Sequence, residues 1–351
     1  MKSLLLNRAR TTFLIVGILI LILLFKSFGI EKIIHHIQAM SWKFGIIVSI
    51  FLFNNIFLTY AWKILITYPV KRGNFYKLLL ARIAGDSPSS VNSLGAIVGE
   101  PLKAMYIKDL IPFNIGLASV VLDRTIHIIA NILLVITGVF SSFFILKIPF
   151  EITVISLLFL VISLCMMIVI LKKQRDGFLE NILNMFPRII IKKFMNEDRW
   201  QKVKALDEEI KYLFCAPKKL KNFYLSIIIR YISILITGVL EIFFIIKFIG
   251  IDISFTNAMF VFIFNLFLTG VIFFMPANLG TSEGSFSLAL KFLGFDPALG
   301  LTLGIIRRLR AFVWSGIGVL ILFYAGLLKK DTIVQGTECI HKETEFITVD
   351  Y

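Results

Sequence analysis

The sequence predicts an all-α polytopic membrane protein, and three observations support that fold class. The chain of 351 residues is 58% hydrophobic but only 17% charged, whereas soluble domains carry about 25% charged residues. Its mean hydropathy is +0.88. Apolar runs of about 20 residues recur along it, long enough to cross a hydrocarbon layer of ~30 Å. A transmembrane β-barrel would show short alternating strands instead.

Seven apolar segments follow one another along the chain as candidate membrane helices. The first follows the basic stretch MKSLLLNRAR and lacks a small-residue cleavage site, so we expect an uncleaved signal anchor. Between the second and third segments, residues 75–110 are too polar for a simple span and too rich in apolar residues and glycine for an exposed loop. The seven segments are 12–29, 44–68, 114–146, 150–171, 223–249, 255–275 and 298–328.

The distribution of Lys and Arg orients these segments. Thirteen of these basic residues fall in 172–221, and cytoplasmic loops carry the excess of positive charge. If 75–110 and 255–294 each enter and leave the membrane on one side, 24 Lys and Arg face the cytoplasm and six face outside. We therefore predict about six full crossings plus two hairpins, seven to eight membrane segments in all. Both termini are then cytoplasmic, and the protein is placed in the plasma (inner) membrane.

The polar parts of the chain predict no second domain. We expect a single transmembrane domain over 1–330, a basic cytoplasmic loop over 172–221 that lies on anionic lipid headgroups, and a disordered cytoplasmic tail over 331–351. The net charge of +15 does not indicate nucleic-acid binding, because the basic residues lie between apolar runs. Three unpaired cysteines and four scattered histidines predict neither a disulfide framework, nor a metal site, nor a cofactor.

Two interruptions of the apolar pattern resemble each other. VNSLGAIVGEPLK covers 91–103 and PANLGTSEGSFS covers 276–287, and each combines an Asn, a Leu-Gly, a G-x-x-x-G and a Glu beside its second glycine. An arginine follows each Glu after 24 residues, Arg124 after Glu100 and Arg307 after Glu283. The pattern therefore predicts a duplicated chain, with repeat one over 44–146 and repeat two over 223–328.

The orientation of the segments makes these two repeats inverted. Inverted repeats with interrupted helices build many transporters, whose substrate sites lie near the midplane where the breaks meet. Irregular backbone at membrane depth persists only where it is buried in protein or lines a wet cavity. Because amide groups at helix starts attract anions, we predict a shared polar cavity. Its predicted substrate-binding residues are Arg124, Arg307, Arg310, Glu100, Glu283, Asn92, Asn278, Gly99 and Gly280.

The deep arginines allow two interpretations. Arg124 lies about ten residues into its helix, or ~15 Å, and buried charge in a bilayer indicates function and a partner. Glu–Arg bridges, from Glu100 or Glu283 to Arg124 or Arg307, would only lock helices together. A phosphate clamp would use guanidinium groups that outnumber the carboxylates. In either case we expect Arg230 to snorkel at a cytoplasmic helix end.

At these residues the sequence resembles the transmembrane region of the lysylphosphatidylglycerol synthases, a flippase-like family. The resemblance covers about 12–328, with Ala277 and Asn278 at positions of the second break where the family usually has glycine. It implies movement of a phospholipid between leaflets, and we expect the flippase-like part without the soluble aminoacyltransferase domain. The matching pieces are NSLGAIVGEPLKAMYI, VVLDRTIHIIANI, FFMPANLGTSEGSFSLALKFLG and IIRRLRAFVWSGIGVL.

The sequence is compatible with three functions. The first is a translocase for an anionic phospholipid or a polyprenyl-phosphate-linked lipid, with Glu100 and Glu283 gating the path or exchanging protons. The second is an intramembrane transferase, against which stands the lack of any nucleophile with a base at helical spacing. The third is an accessory subunit that scaffolds envelope-synthesis enzymes through the basic loop.

Deletion of the basic loop, residues 172–221, separates the first function from the third. A translocase formed by the membrane helices keeps part of its lipid-exchange activity in proteoliposomes, because the loop only contacts headgroups. Complete loss of exchange by a deletion variant that still inserts and folds would favour the scaffold.

Overall fold

The computed structural model covers the two predicted repeats almost completely. It describes residues 40–66, 68–69, 72–91, 95–145, 217–272 and 278–325, with isolated positions between 158 and 208. The predicted segment 12–29, the tail 331–351 and nearly all of 150–171 and of the basic loop lie outside the described residues.

The described part of the chain is α-helical and contains no β-strand. Apart from two short 3₁₀ turns, it comprises a long helix, one of 17 residues, one of 12 residues and a second long helix, and then the same order again. The repeated order of helix lengths agrees with a duplicated sequence. That the two repeats have opposite orientations in the membrane stays a prediction. The helices are α1 (Phe44–Leu65), α2 (Phe75–Val91), α3 (Gly95–Tyr106), α4 (Phe113–Ile145), α5 (Pro217–Phe248), α6 (Phe255–Val271), α7 (Thr281–Phe292) and α8 (Ala298–Tyr324).

Local sequence signals explain where several helices begin and end. α5 ends before Gly250, which adopts φ 94°, and α7 ends before Gly294 at φ 80°, a left-handed conformation that glycine adopts without steric cost. α6 begins after Ser254, whose hydroxyl accepts a hydrogen bond from the Asn257 N–H at 3.1 Å. α8 begins after Pro297, a residue that suits the start of a helix.

Three described helices are long and apolar enough to cross a membrane, over Ser41–Leu65, Phe113–Gly138 and Leu220–Phe248. The third begins before the predicted residue 223, because the basic stretch PKKLK already forms the first turns of α5. α6 is a shorter apolar helix. At 1.5 Å per residue, the 12 residues of α3 and of α7 each span about 18 Å, too little for a full crossing.

The helices α2 and α3 form a hairpin whose two outer ends lie together. Near the start of α2, Lys77 Nζ is 3.0 Å from Oδ2 of Asp109, just after the end of α3. The chain therefore returns to the side from which it came. α6 and α7 also pack against each other, and Asn265 of α6 donates to the Ser282 carbonyl oxygen of α7 at 3.2 Å.

Glycines bring α2 and α3 into close backbone contact. A Cβ atom on Gly99 would lie 2.0 Å from the carbonyl oxygen of Gly85, and one on Gly85 would lie 2.7 Å from the carbonyl oxygen of Gly99. No side chain fits at either position unless the helices separate. The predicted substrate-binding residue Gly99 therefore has a packing role in this structure, as small residues have in many membrane helix pairs.

The core lies between the two long helices α1 and α5 and the hairpins packed around them. Its largest apolar cluster joins α5, α6, α7 and α8. A second cluster joins α1, α4 and α5, and a third centres on Trp62 of α1, which is fully buried against α2 and α4. Both hairpins thus pack against long helices, which positions their polar residues.

Substitution of Gly99 by Ala tests the close contact. We expect a lower melting temperature in detergent, with a cost of about 1–3 kcal/mol for overpacking, because the added methyl group meets the Gly85 carbonyl. Gly45→Ala in α1 is the matched control, since nothing lies within 4 Å of its added Cβ. Equal melting temperatures for the two variants would contradict the contact.

Candidate functional site

One buried carboxylate binds two of the predicted arginines. Glu241 of α5 is 2% exposed, and its Oε2 accepts a hydrogen bond from Arg307 Nε at 3.2 Å while its Oε1 lies 2.5 Å from Arg310 Nη1. Both arginines come from α8, three residues apart and therefore on one face. This Glu241 cluster carries two positive charges against one negative charge.

Aromatic rings cover the two guanidinium groups of the Glu241 cluster. Arg310 Cζ lies 4.2 Å from the ring centroid of Phe51 in α1, and Arg307 Cζ lies 5.2 Å from that of Phe286 in α7. A cation over an aromatic face is attracted by the ring quadrupole. The rings thus help to hold the excess charge that the single carboxylate does not neutralise.

The second predicted glutamate, Glu283, caps the start of α7. It is fully buried, its Oε2 accepts from the Gly280 N–H at 3.0 Å, and both of its oxygens bind Arg308. Of the alternative Glu–Arg bridges, the one from Glu283 forms with Arg308 and not with Arg307. Consecutive helix residues point about 100° apart, so α8 presents Arg308 to α7 and Arg307 to α5.

The second break has the backbone of a tight turn. Asn278 adopts φ 51° and Gly280 φ 75°, and the Asn278 carbonyl oxygen accepts from Arg308 Nη2 at 3.1 Å. Asn is among the few residues that tolerate a positive φ, which explains why it can form this turn. The corresponding Asn92 of the first break lies outside the described residues.

A third ion cluster joins α2 and α4 of the first repeat to α5 of the second. Asp123 of α4 accepts from Arg82 Nη2 of α2 at 2.8 Å and also binds Arg230 of α5. All three side chains are at least 95% buried. The expectation that Arg230 snorkels is therefore wrong, because it enters the protein to reach Asp123. His127 of α4 lies beside this cluster, with its Nδ1 3.4 Å from Arg230 Nη1 and its Nε2 3.2 Å from Asn131 Nδ2.

The first predicted glutamate, Glu100, belongs to a looser cluster. Lys103 Nζ is 2.6 Å from Asp86 Oδ1 but 4.0 Å from Glu100 Oε1. Glu100 Oε2 is buried and has no hydrogen-bond partner in the described residues. Arg124 of α4 is exposed, and within the described residues no carboxylate lies within ion-pair distance of it.

A cavity of about 90 Å³ opens between α1, α2 and α8. Its wall combines aromatic and small polar residues with one carboxylate, that of Asp86. It adjoins the Glu241 cluster through Phe51, whose ring lies under Arg310. Neither Glu100 nor Glu283 lines it. The lining residues are Phe51, Asn55, Ile83, Asp86, Ser87, Ala311, Trp314 and Ser315.

The predicted site residues therefore divide into separate groups. Arg307 and Arg310 lie together, whereas Glu100 and Glu283 share no hydrogen-bond or ion-pair partner in the described residues. Neither Arg82 nor Glu241 was among the residues predicted from the sequence. A signal for Glu241 exists, because it is the one carboxylate of α5, and a carboxylate deep in an apolar membrane helix indicates a functional or paired group.

Comparison with known proteins identifies the family. The family "Lysylphosphatidylglycerol synthase TM region" matches residues 12–318, which is most of the chain, and the protein belongs to that family. It is thus a polytopic all-α membrane protein. No curated protein and no solved structure matches the chain.

Substitutions in the cluster of Asp123, Arg82 and Arg230 distinguish the contribution of ion pairing to stability from that of side-chain packing. Asp123→Leu leaves Arg82 and Arg230 buried without their carboxylate, so we expect a loss of about 3–5 kcal/mol of unfolding free energy. The triple variant Arg82→Met/Asp123→Leu/Arg230→Met removes all three charges and should recover most of that loss, because apolar side chains of similar volume can replace a buried ion triad. Denaturant unfolding in mild detergent measures both variants.

The exposed pair Lys77–Asp109 provides the control for this series. Lys77→Met/Asp109→Leu should change the unfolding free energy by less than about 1 kcal/mol, as for other surface ion pairs. A single Asp123→Leu variant as stable as this control would show that the cluster does not hold α2, α4 and α5 together.

Proposed function

We propose that this protein translocates a lipid with an anionic headgroup between leaflets, with the headgroup phosphate bound by arginines within the membrane. The observation that carries the proposal is the excess of guanidinium over carboxylate. Arg307 and Arg310 both bind the single carboxylate of Glu241. Arg124 has no carboxylate within ion-pair distance in the described residues.

The geometry of the arginines supports a phosphate ligand. Guanidinium groups form two parallel hydrogen bonds with phosphate oxygens. Arg307 directs its Nε at Glu241, its side chain is 21% exposed, and within the described residues its two terminal amino groups have no hydrogen-bond partner. Arg124 lies 11 residues after Phe113 at the start of α4, or about 16 Å along the helix. Both groups can thus meet a headgroup that enters the membrane.

The cavity supports a path for that headgroup. Asn55, Ser87 and Ser315 offer polar atoms, and Trp314 with Phe51 offers apolar surface. A lipid headgroup and the first part of its acyl chains need both kinds of wall. α8 contributes Arg307, Arg310 and Trp314, so a movement of α8 would change the cavity and the Glu241 cluster together.

The family membership supports the lipid as substrate. The family is named after the membrane region of lysylphosphatidylglycerol synthase. In this proposal the substrate is an anionic phospholipid or a polyprenyl-phosphate-linked lipid, the protein lies in the plasma membrane, and both termini are cytoplasmic. Envelope-synthesis enzymes would supply or consume such a lipid and are the proposed partners.

A leaflet-exchange assay in proteoliposomes tests the proposal. Labelled phosphatidylglycerol, its aminoacylated derivative and a polyprenyl phosphate are compared with labelled phosphatidylcholine. The variant Arg124→Gln/Arg307→Gln removes the excess charge, while Arg310 remains to neutralise Glu241. We expect its exchange rate for the anionic lipid to fall at least about ten-fold, because hydrogen bonds to charged groups contribute about 1.5–3 kcal/mol.

The control variant is Lys247→Gln. Lys247 is half exposed and lies 3.9 Å from the exposed Asp252, so its loss removes one positive charge without touching the arginines. It should exchange lipid at the wild-type rate. Wild-type protein that exchanges none of the lipids under any ion gradient would contradict the proposed function.

A further inference from the structure

We propose that Glu100 is a proton-binding site of this protein, whose protonation changes with the position of the α2–α3 hairpin, and that the equivalent Glu283 is not. The inference rests on the proposed function, because it assigns the group that couples lipid movement to proton movement. Glu100 and Glu283 occupy matching places in similar sequence motifs, but they differ in the hydrogen-bond donors around them.

Glu283 has every donor that an ionised carboxylate needs. Arg308 binds both of its oxygens, and the Gly280 N–H adds a further hydrogen bond at 3.0 Å. The side chain is fully buried. A proton on Glu283 would break the paired arrangement and leave Arg308 facing a neutral group. Glu283 is therefore held in an ion pair that fixes the start of α7 to α8.

Glu100 has almost none of these donors. Its nearest cation, Lys103, lies 4.0 Å from Oε1 and is bound to Asp86 at 2.6 Å. Its Oε2 is buried without a hydrogen-bond partner in the described residues, although its side chain keeps 18% exposure. An ionised carboxylate that lacks donors is costly in a low-dielectric environment, and a proton removes that cost.

The charged groups around Glu100 come from three helices. Asp86 of α2 repels its negative charge, as Asp123 of α4 does, whereas Lys103 of its own helix and Arg124 of α4 attract it. Asp123 itself is ion-paired with Arg82 and Arg230. The residues of α8 beside α3, Ile321 and Leu322, are apolar. Lys103 is thus one ammonium group between two carboxylates, Asp86 and Glu100.

This arrangement defines two states with balanced charge. In one, Lys103 stays with Asp86, and Glu100 has taken a proton from water on its Oε2. In the other, Glu100 has released that proton to water, Lys103 stays with Asp86, and the hairpin brings Arg124 of α4 within ion-pair distance of the Glu100 carboxylate. No other co-reactant is needed. Because Asp86 also lines the cavity, the same lysine links the proton site to the proposed lipid path.

Infrared difference spectroscopy tests proton binding without any transport measurement. Spectra of wild-type protein in lipid at high and low pH are subtracted, and the result is compared with that of Glu100→Gln. We expect a carbonyl stretch of a protonated carboxyl in the wild type that is absent from Glu100→Gln and shifted in Glu100→Asp. Asp109→Asn, at an exposed aspartate, should keep the band.

Two results of this spectroscopic test would overturn the proton site. A wild-type band that persists in Glu100→Gln, or identical difference spectra for the two proteins, would exclude Glu100. If Glu100→Gln does not fold, the band must shift in Glu100→Asp, and an unshifted band excludes the site as well. This test remains decisive even if the protein exchanges no lipid.

Leaflet exchange then tests the coupling. The exchange rate of wild-type protein should depend on the pH difference across the vesicle, and in Glu100→Gln the ratio of rates with and without that difference should be about one, since the proton linkage is lost. Exchange that responds equally to the pH difference in both proteins would overturn the coupling. Absence of exchange in both would instead contradict the proposed function.

Discussion

The structure depends on the pairing of buried charges along α5. Arg230 and Glu241 lie 11 residues apart on this helix, about 16 Å along its axis, and each is 2% exposed. Arg230 binds Asp123 of α4, and Glu241 binds two arginines of α8. An unpaired charge inside a membrane protein is costly, so α4 and α8 are each fixed to α5 at one depth. Both halves of the protein are assembled on this helix.

That constraint explains why the polar groups can also be functional. A carboxylate shared by two arginines holds the helices together and still leaves one positive charge without a counterpart. The short helices contribute differently. The Gly85–Gly99 contact brings α2 and α3 together through their backbones, so few side chains separate them and Asp86 can reach Lys103. Close packing in the hairpin thus brings the charged groups of Asp86 and Lys103 within ion-pair distance of each other.

Most of the fold could be predicted from the sequence, because apolar length and the positions of Lys and Arg depend on local composition. The broken stretches at 91–103 and 276–287 correspond to the short helices α3 and α7. The ion pairs could not be predicted in the same way. The sequence left open which arginine would bind Glu283, because the rotation of α8 decides which arginine side chain reaches it. Arg230 resembled a snorkelling residue because its partner, Asp123, is more than 100 residues away in sequence.

The two similar motifs illustrate how matching sequences acquire different chemistry. Both glutamates lie near the start of a 12-residue helix, yet only Glu283 receives an arginine from the helix that follows. The second half has three arginines within four residues, RRLR, so one can cap α7 while two bind Glu241. The first half has Arg124 alone at this place, and it is exposed. One arginine cannot neutralise a buried carboxylate and also remain accessible to a ligand. In the proposed proton mechanism, the number of arginines in each half therefore determines which glutamate stays ion-paired and which exchanges a proton.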